Sequence, residues 1–154
     1  MKVYRYLTEE ELNKILLKDS SGLGSCYVST RFIKRLANNF RYQKGEKYLH
    51  FFKNKADMKR IRRIRREHDK YFNRDLVYYY CTFDIHPTVL FFAAGKGWYN
   101  NYDENGRRTM KTTTVREYAI KTKHFNPDWL IEYVRDDVKN DEHIEVYSRD
   151  DTIK

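Results

Sequence analysis

At 154 residues the chain fits one domain, which at this size buries roughly 70% of its unfolded surface without help from disulfides or metal. A formal charge of +9 and a pI near 9.4 favour an acidic partner, whether nucleic acid, a nucleotide cofactor or an acidic protein. Two cysteines without a CxxC pair, a charged start and no run near ~18 apolar residues argue against secretion, a disulfide scaffold and a membrane span, and leave a reducing cytoplasm as the expected compartment.

The first predicted element is a strand, Val3-Tyr4-Arg5-Tyr6-Leu7. Thr8-Glu9-Glu10-Glu11 then reads as a capping box, with Leu7 and Leu12 placed for a hydrophobic staple, so a helix starts here and buries Leu12, Ile15 and Leu16. Polar and glycine residues from Asp19 to Gly24 end it. A short extended piece, Tyr27 to Thr30, leads to a second helix with Ile33, Leu36, Ala37 and Phe40 inward. Gly45 marks a turn before the strand Lys47-Tyr48-Leu49-His50-Phe51-Phe52. Asn54 caps a long helix from about Lys55 to Phe72, in which Met58, Ile61, Ile64 and His68 recur at helical spacing and Lys59, Arg60, Arg62, Arg63, Arg65 and Arg66 coat the remaining surface.

Leu76 to Ile85 alternates as a strand with Val77, Tyr79, Cys81, Phe83 and Ile85 on one face, and His86-Pro87 stops it. A short helix is expected up to Ala94, followed by a long polar loop from Gly95 to Thr113 with a hairpin turn near Glu104-Asn105-Gly106. The strand Val115-Arg116-Glu117-Tyr118-Ala119-Ile120 comes next, and Trp129 to Val134 forms a last strand or edge element. The expected domain therefore spans 1–135, with 136–154 a polar, partly mobile tail.

Three of these strands each hold one polar side chain among aromatics: Arg5, His50 and Glu117. Glu117 lies mid-strand, where a carboxylate has poor intrinsic propensity. Either it pairs with a cation such as Arg5, or it is held in a cleft to bind a ribose and stabilise developing positive charge. His50 is either a half-buried sheet histidine or a polar contact in that cleft. The run Lys59 to Arg66 is either a solvated helix face or a phosphate-binding surface through Arg62, Arg63, Arg65 and Arg66. The histidines lie too far apart, and the cysteines are too few, for a metal centre. Gly95-Lys96-Gly97 and Gly22-Leu23-Gly24 lack the frames of phosphate-binding loops.

In their order the three segments resemble the ADP-ribosyltransferase superfamily, whose members include diphtheria-toxin-like enzymes and DNA- or RNA-modifying relatives. Val3 to Leu7 and the helix after it look like the first motif. Lys47 to Asp57 looks like the second, a strand running into a helix. Arg116 to Ile120, followed by Phe125-Asn126-Pro127-Asp128-Trp129-Leu130, looks like the catalytic-glutamate strand and the closing strand. The resemblance implies an α+β fold built as a split β-sheet sandwich with flanking helices.

It also implies NAD as cofactor, Arg5 as its anchor, Tyr48 or His50 in the nicotinamide pocket and Glu117 as the catalytic carboxylate. Trp98, Tyr99 and Tyr102 would then belong to the acceptor-recognition segment. His50 and Phe51 stand where members more often carry Tyr or Ser-Thr, with Ser29-Thr30 a rival element. Val115 stands where arginine-modifying members carry Glu or Gln, which argues against arginine as acceptor. The expected function is mono-ADP-ribosyl transfer to an acidic macromolecule, of the kind found in toxin, phage or defence systems. The rivals are a non-enzymatic, basic nucleic-acid-binding module and a catalytically dead relative that inhibits a partner protein.

Overall fold

The computed structural model describes residues 1–19, 26–27, 41–71, 77–136 and 146–148, with backbone alone at 26–27, 65–71, 94, 96–102, 112 and 146–148. Strand β1 (Lys2–Thr8) runs straight into helix α1 (Glu9–Leu16). The Glu11 N–H donates to the Thr8 hydroxyl at 3.2 Å, and the Thr8 N–H donates to Glu11 Oε1 at 3.1 Å. This is the reciprocal cap read from the sequence, and it fixes where strand becomes helix.

Strand β2 (Cys26–Tyr27) is followed by β3 (Lys47–Phe52) and helix α2 (Lys55–Tyr71). Gly45 takes a φ of 87°, in the left-handed region that suits glycine, at the turn into β3. Then come β4 (Tyr78–Asp84), β5 (Phe91–Tyr102), β6 (Arg108–Lys121), β7 (Leu130–Asp136) and β8 (Val146–Ser148). The architecture is mixed α+β. Among the described residues the strands form one antiparallel sheet in the order β5-β6-β3-β1-β4-β7-β8, with β2 beside β3.

A sandwich of two separate sheets is thus replaced by one hydrogen-bonded sheet, although a seam divides it. β1 pairs with β4 along its whole length, from Lys2 opposite Asp84 to Thr8 opposite Tyr78, but meets β3 in register only at Tyr4 opposite Phe52. The same edge of β3 carries β2 at Lys47 and Tyr48. Leu49, His50 and Phe51 lie between these two partners.

Cross-strand partners share a face, so the register sorts the side chains. One face carries Val3, Leu7, Leu49, Phe51, Cys81 and Phe83, which pack with Leu12 and Ile15 of α1 into the main core. Each large side chain buried there contributes about 1.5–3 kcal/mol. On the opposite face, Phe52, Tyr80 and Val115 pack against Met58 and Ile61 of α2. A separate cluster of Tyr42, Tyr48, Ala93 and Ala119 forms toward one end of that same face.

Two expectations between Pro87 and Thr113 are corrected. The helix after His86 is a single 3-10 turn, Pro87–Val89, before β5 begins. The polar segment taken as a loop is most of a long hairpin, with the chain reversing at Asp103–Arg107 and Gly106 at a φ of 77°. Its strands lack a sustained apolar alternation, so cross-strand pairing holds what periodicity does not announce. At the far edge of the sheet, Asp136 is a buried residue of β7, and the backbone of Val146–Ser148 pairs with β7 as β8. The helix expected over Ile33 to Phe40, and Ser29-Thr30, lie outside the described residues.

Candidate active site

The strands bearing the three singled-out polar residues are immediate neighbours, in the order β6-β3-β1. On β3 and β6 the pairs Tyr48–Lys121, His50–Ala119 and Phe52–Glu117 put His50 and Glu117 on the same face as near-diagonal neighbours. Along β6 the half-buried Glu117 stands between Val115 and Ala119, which belong to different apolar clusters. Along β3 His50 stands in the same way between Tyr48 and Phe52. Both polar groups therefore occupy the gap between two aromatic-rich clusters on one face.

Arg5 is placed differently. Its partner on β4 is Cys81, which assigns it to the face of Val3 and Leu7, so the three side chains do not line one face. Its guanidinium instead reaches the seam, where NH1 donates to the His50 carbonyl at 2.8 Å. That carbonyl lies on the stretch of β3 between its β1 and β2 partners.

His50 shares a hydrogen bond of 2.8 Å between Nε2 and the Tyr42 hydroxyl, and the two rings stack with centroids 6.0 Å apart. Burial pushes the imidazole down to about 4, and the nearby Arg5 charge pushes in the same direction. At neutral pH His50 is therefore uncharged, with one nitrogen able to donate and the other to accept. Tyr48, read as a possible wall of the pocket, is fully buried. Its hydroxyl receives the Gln43 N–H at 2.6 Å, and Tyr42 and Phe91 meet its ring edge-on. These contacts take up its ring and hydroxyl. Tyr42 is the residue the sequence did not flag, since it sits in a polar turn with no periodic neighbours.

The basic helix is also rearranged. Arg62 is 1% exposed, pairs with Asp136 at 3.6 Å and stacks its guanidinium 3.8 Å from the centre of the Tyr78 ring. It is removed from any phosphate-binding surface, because it follows Ile61 on the inward stripe of α2. Lys59 lies over the Tyr80 ring, and Arg60 pairs with Asp57 at 3.1 Å. Arg63 is exposed, while the side chains of Arg65 and Arg66 lie outside the described residues. The backbone at Trp98, Tyr99 and Tyr102 is in β5, and their side chains are likewise not described.

Among the described residues no group of histidine, cysteine and carboxylate side chains is placed to hold a metal ion, and no helix is long and apolar enough to cross a membrane. No protein-family model matches the chain, and neither a curated protein nor a solved structure matches it.

Proposed function

We propose that the chain is an ADP-ribosyltransferase-like enzyme that cleaves NAD at the nicotinamide–ribose bond and transfers ADP-ribose to a macromolecular acceptor. The observation that carries this reading is the adjacency of β6, β3 and β1, with Glu117 and neutral His50 on one face between two aromatic clusters. A half-buried carboxylate, an uncharged imidazole and flanking aromatic rings suit the ribosyl–nicotinamide end of the dinucleotide. NAD itself supplies the bond to be broken and a leaving group that departs neutral with the bonding electron pair.

The chain's own residues then act through position and charge. Glu117 offers a fixed negative charge to the ribose, which is worth most where positive charge develops. His50 offers a hydrogen bond without a competing positive charge. Arg5 holds the β3 backbone beneath them, as a positioning residue in place of the dinucleotide contact first expected of it. Mixing the full chain with NAD and following nicotinamide release tests the reading. Glu117→Gln is expected to lose turnover by 100-fold or more, on the order seen when one charge-stabilising group is removed, while NAD affinity changes little. Equal turnover in that variant, or none in the parent chain with a range of acceptors, removes the proposal.

A further inference from the structure

We infer that the end of the sheet formed by the turn before β3 and the end of β6 is a binding surface for the phosphate backbone of a nucleic acid. Residues from two distant parts of the chain meet there. Lys44 and Lys47 are exposed on one side, and Lys123 and His124 are exposed on the other, with Lys121 half-buried between them. The link is direct: Lys121 bonds the Gln43 side chain, and Lys123 Nζ lies 3.1 Å from Glu46 Oε1.

Glu46 reports the local field. Its carboxyl is held below the usual range chiefly by the Lys123 hydrogen bond, with Lys121 and His124 acting from further away. It is also the sole carboxylate in residues 41–47 and 121–125. No aspartate or glutamate occurs in residues 41–45 to offset these cations, and the backbone of β2 lies against β3 at the Tyr27–Lys47 pair.

The spread of charge decides the ligand class. Two phosphates of a dinucleotide need one compact cradle, whereas these cations are distributed over the turn before β3, the end of β6 and the 3-10 turn Thr122–His124, which suits a repeating polyanion. The inference stands apart from NAD turnover, and it adds to the expected nucleic-acid surface on α2, from which the buried Arg62 is removed, a second one at this end of the sheet.

Its test is the salt dependence of binding to a fluorescent single-stranded oligonucleotide, as DNA and as RNA. The triple variant Lys44→Gln, Lys47→Gln, Lys123→Gln is compared with one that removes equal charge from the hairpin, Arg107→Gln, Arg108→Gln, Lys111→Gln. If the surface is used, the first variant lowers the slope of log affinity against log salt by about 2, at roughly 0.7 per lost contact on single strands. The hairpin variant then keeps the parent slope. Equal losses in both variants, an unchanged slope in the first, or no oligonucleotide binding by the parent chain overturns the inference. So does a loss of NAD affinity in the first variant with its oligonucleotide slope intact.

Discussion

Arg5 donates to the His50 carbonyl across 2.8 Å, joining two strands that meet in register at the single Tyr4–Phe52 position. The bond crosses the seam of the sheet and ends on the backbone of a candidate site residue. Removing the guanidinium while keeping an apolar stem tests both consequences. Arg5→Met is expected to cost about 1–3 kcal/mol in urea unfolding, the range for losing a charge-assisted hydrogen bond. The same variant raises the His50 pKa from about 4, because a repelling charge is gone. A stability change within 0.5 kcal/mol and an unmoved titration would contradict the tether.

His50 also sets an acid limit. Its folded pKa of about 4 lies below the ordinary 6.5, so between those values the unfolded chain binds the extra proton. The contribution of His50 to stability is full above pH 6.5 and is lost as pH falls toward 4, with an upper bound on the order of 3 kcal/mol. Unfolding free energies measured from pH 7 to pH 4 should fall less steeply in His50→Gln than in the parent chain. Parallel curves would show that His50 is not the group responsible.

The buried Arg62–Asp136 pair joins α2 to the end of β7. Arg62→Met or Asp136→Leu alone leaves a charge without its ion-pair partner in a buried site, and each is expected to cost about 3–5 kcal/mol. The double replacement is expected to be close to neutral, since it removes both desolvation penalties. Thermal unfolding of all four proteins gives the coupling energy, and simple additivity would place the pair outside the core.

Cys81 is fully buried, and burial pushes its thiol up, away from the reactive thiolate. In a Cys26→Ser background, a thiol reagent at pH 8 should leave the native protein unmodified and react once denaturant exposes the chain. Rapid labelling without denaturant would mean that the main core opens readily.

Much of this organisation is legible in the residue pattern. The Thr8–Glu11 cap, the inward Met58 and Ile61, the Cys81 and Phe83 face of β4 and the strand around Glu117 all follow from local chemistry and periodicity. What local pattern conceals depends on distant partners. Arg62 looks like one cation in a basic helix until Asp136 is brought to it, and Asp136 itself sits where the sequence turns polar. Tyr48 looks available for stacking until Tyr42 and Phe91 cover it. The face of Arg5 follows from strand alternation with Val3 and Leu7, but the His50 carbonyl it reaches depends on the pairing of β1 with β3, which no local spacing encodes.

The strand order carries a consequence for how the chain folds as it is made. β1 precedes its full-length partner β4 by β3 and α2, and β3 waits for β6, the second strand of the hairpin. Among the described residues, only β5 and β6 are long neighbours both in the sheet and along the chain. Closing the other pairs costs loop entropy before any ladder forms, so folding is slow for a domain of this size. Until those partners are made, β1 and β3 present aromatic strand edges that β4 and β6 later cover.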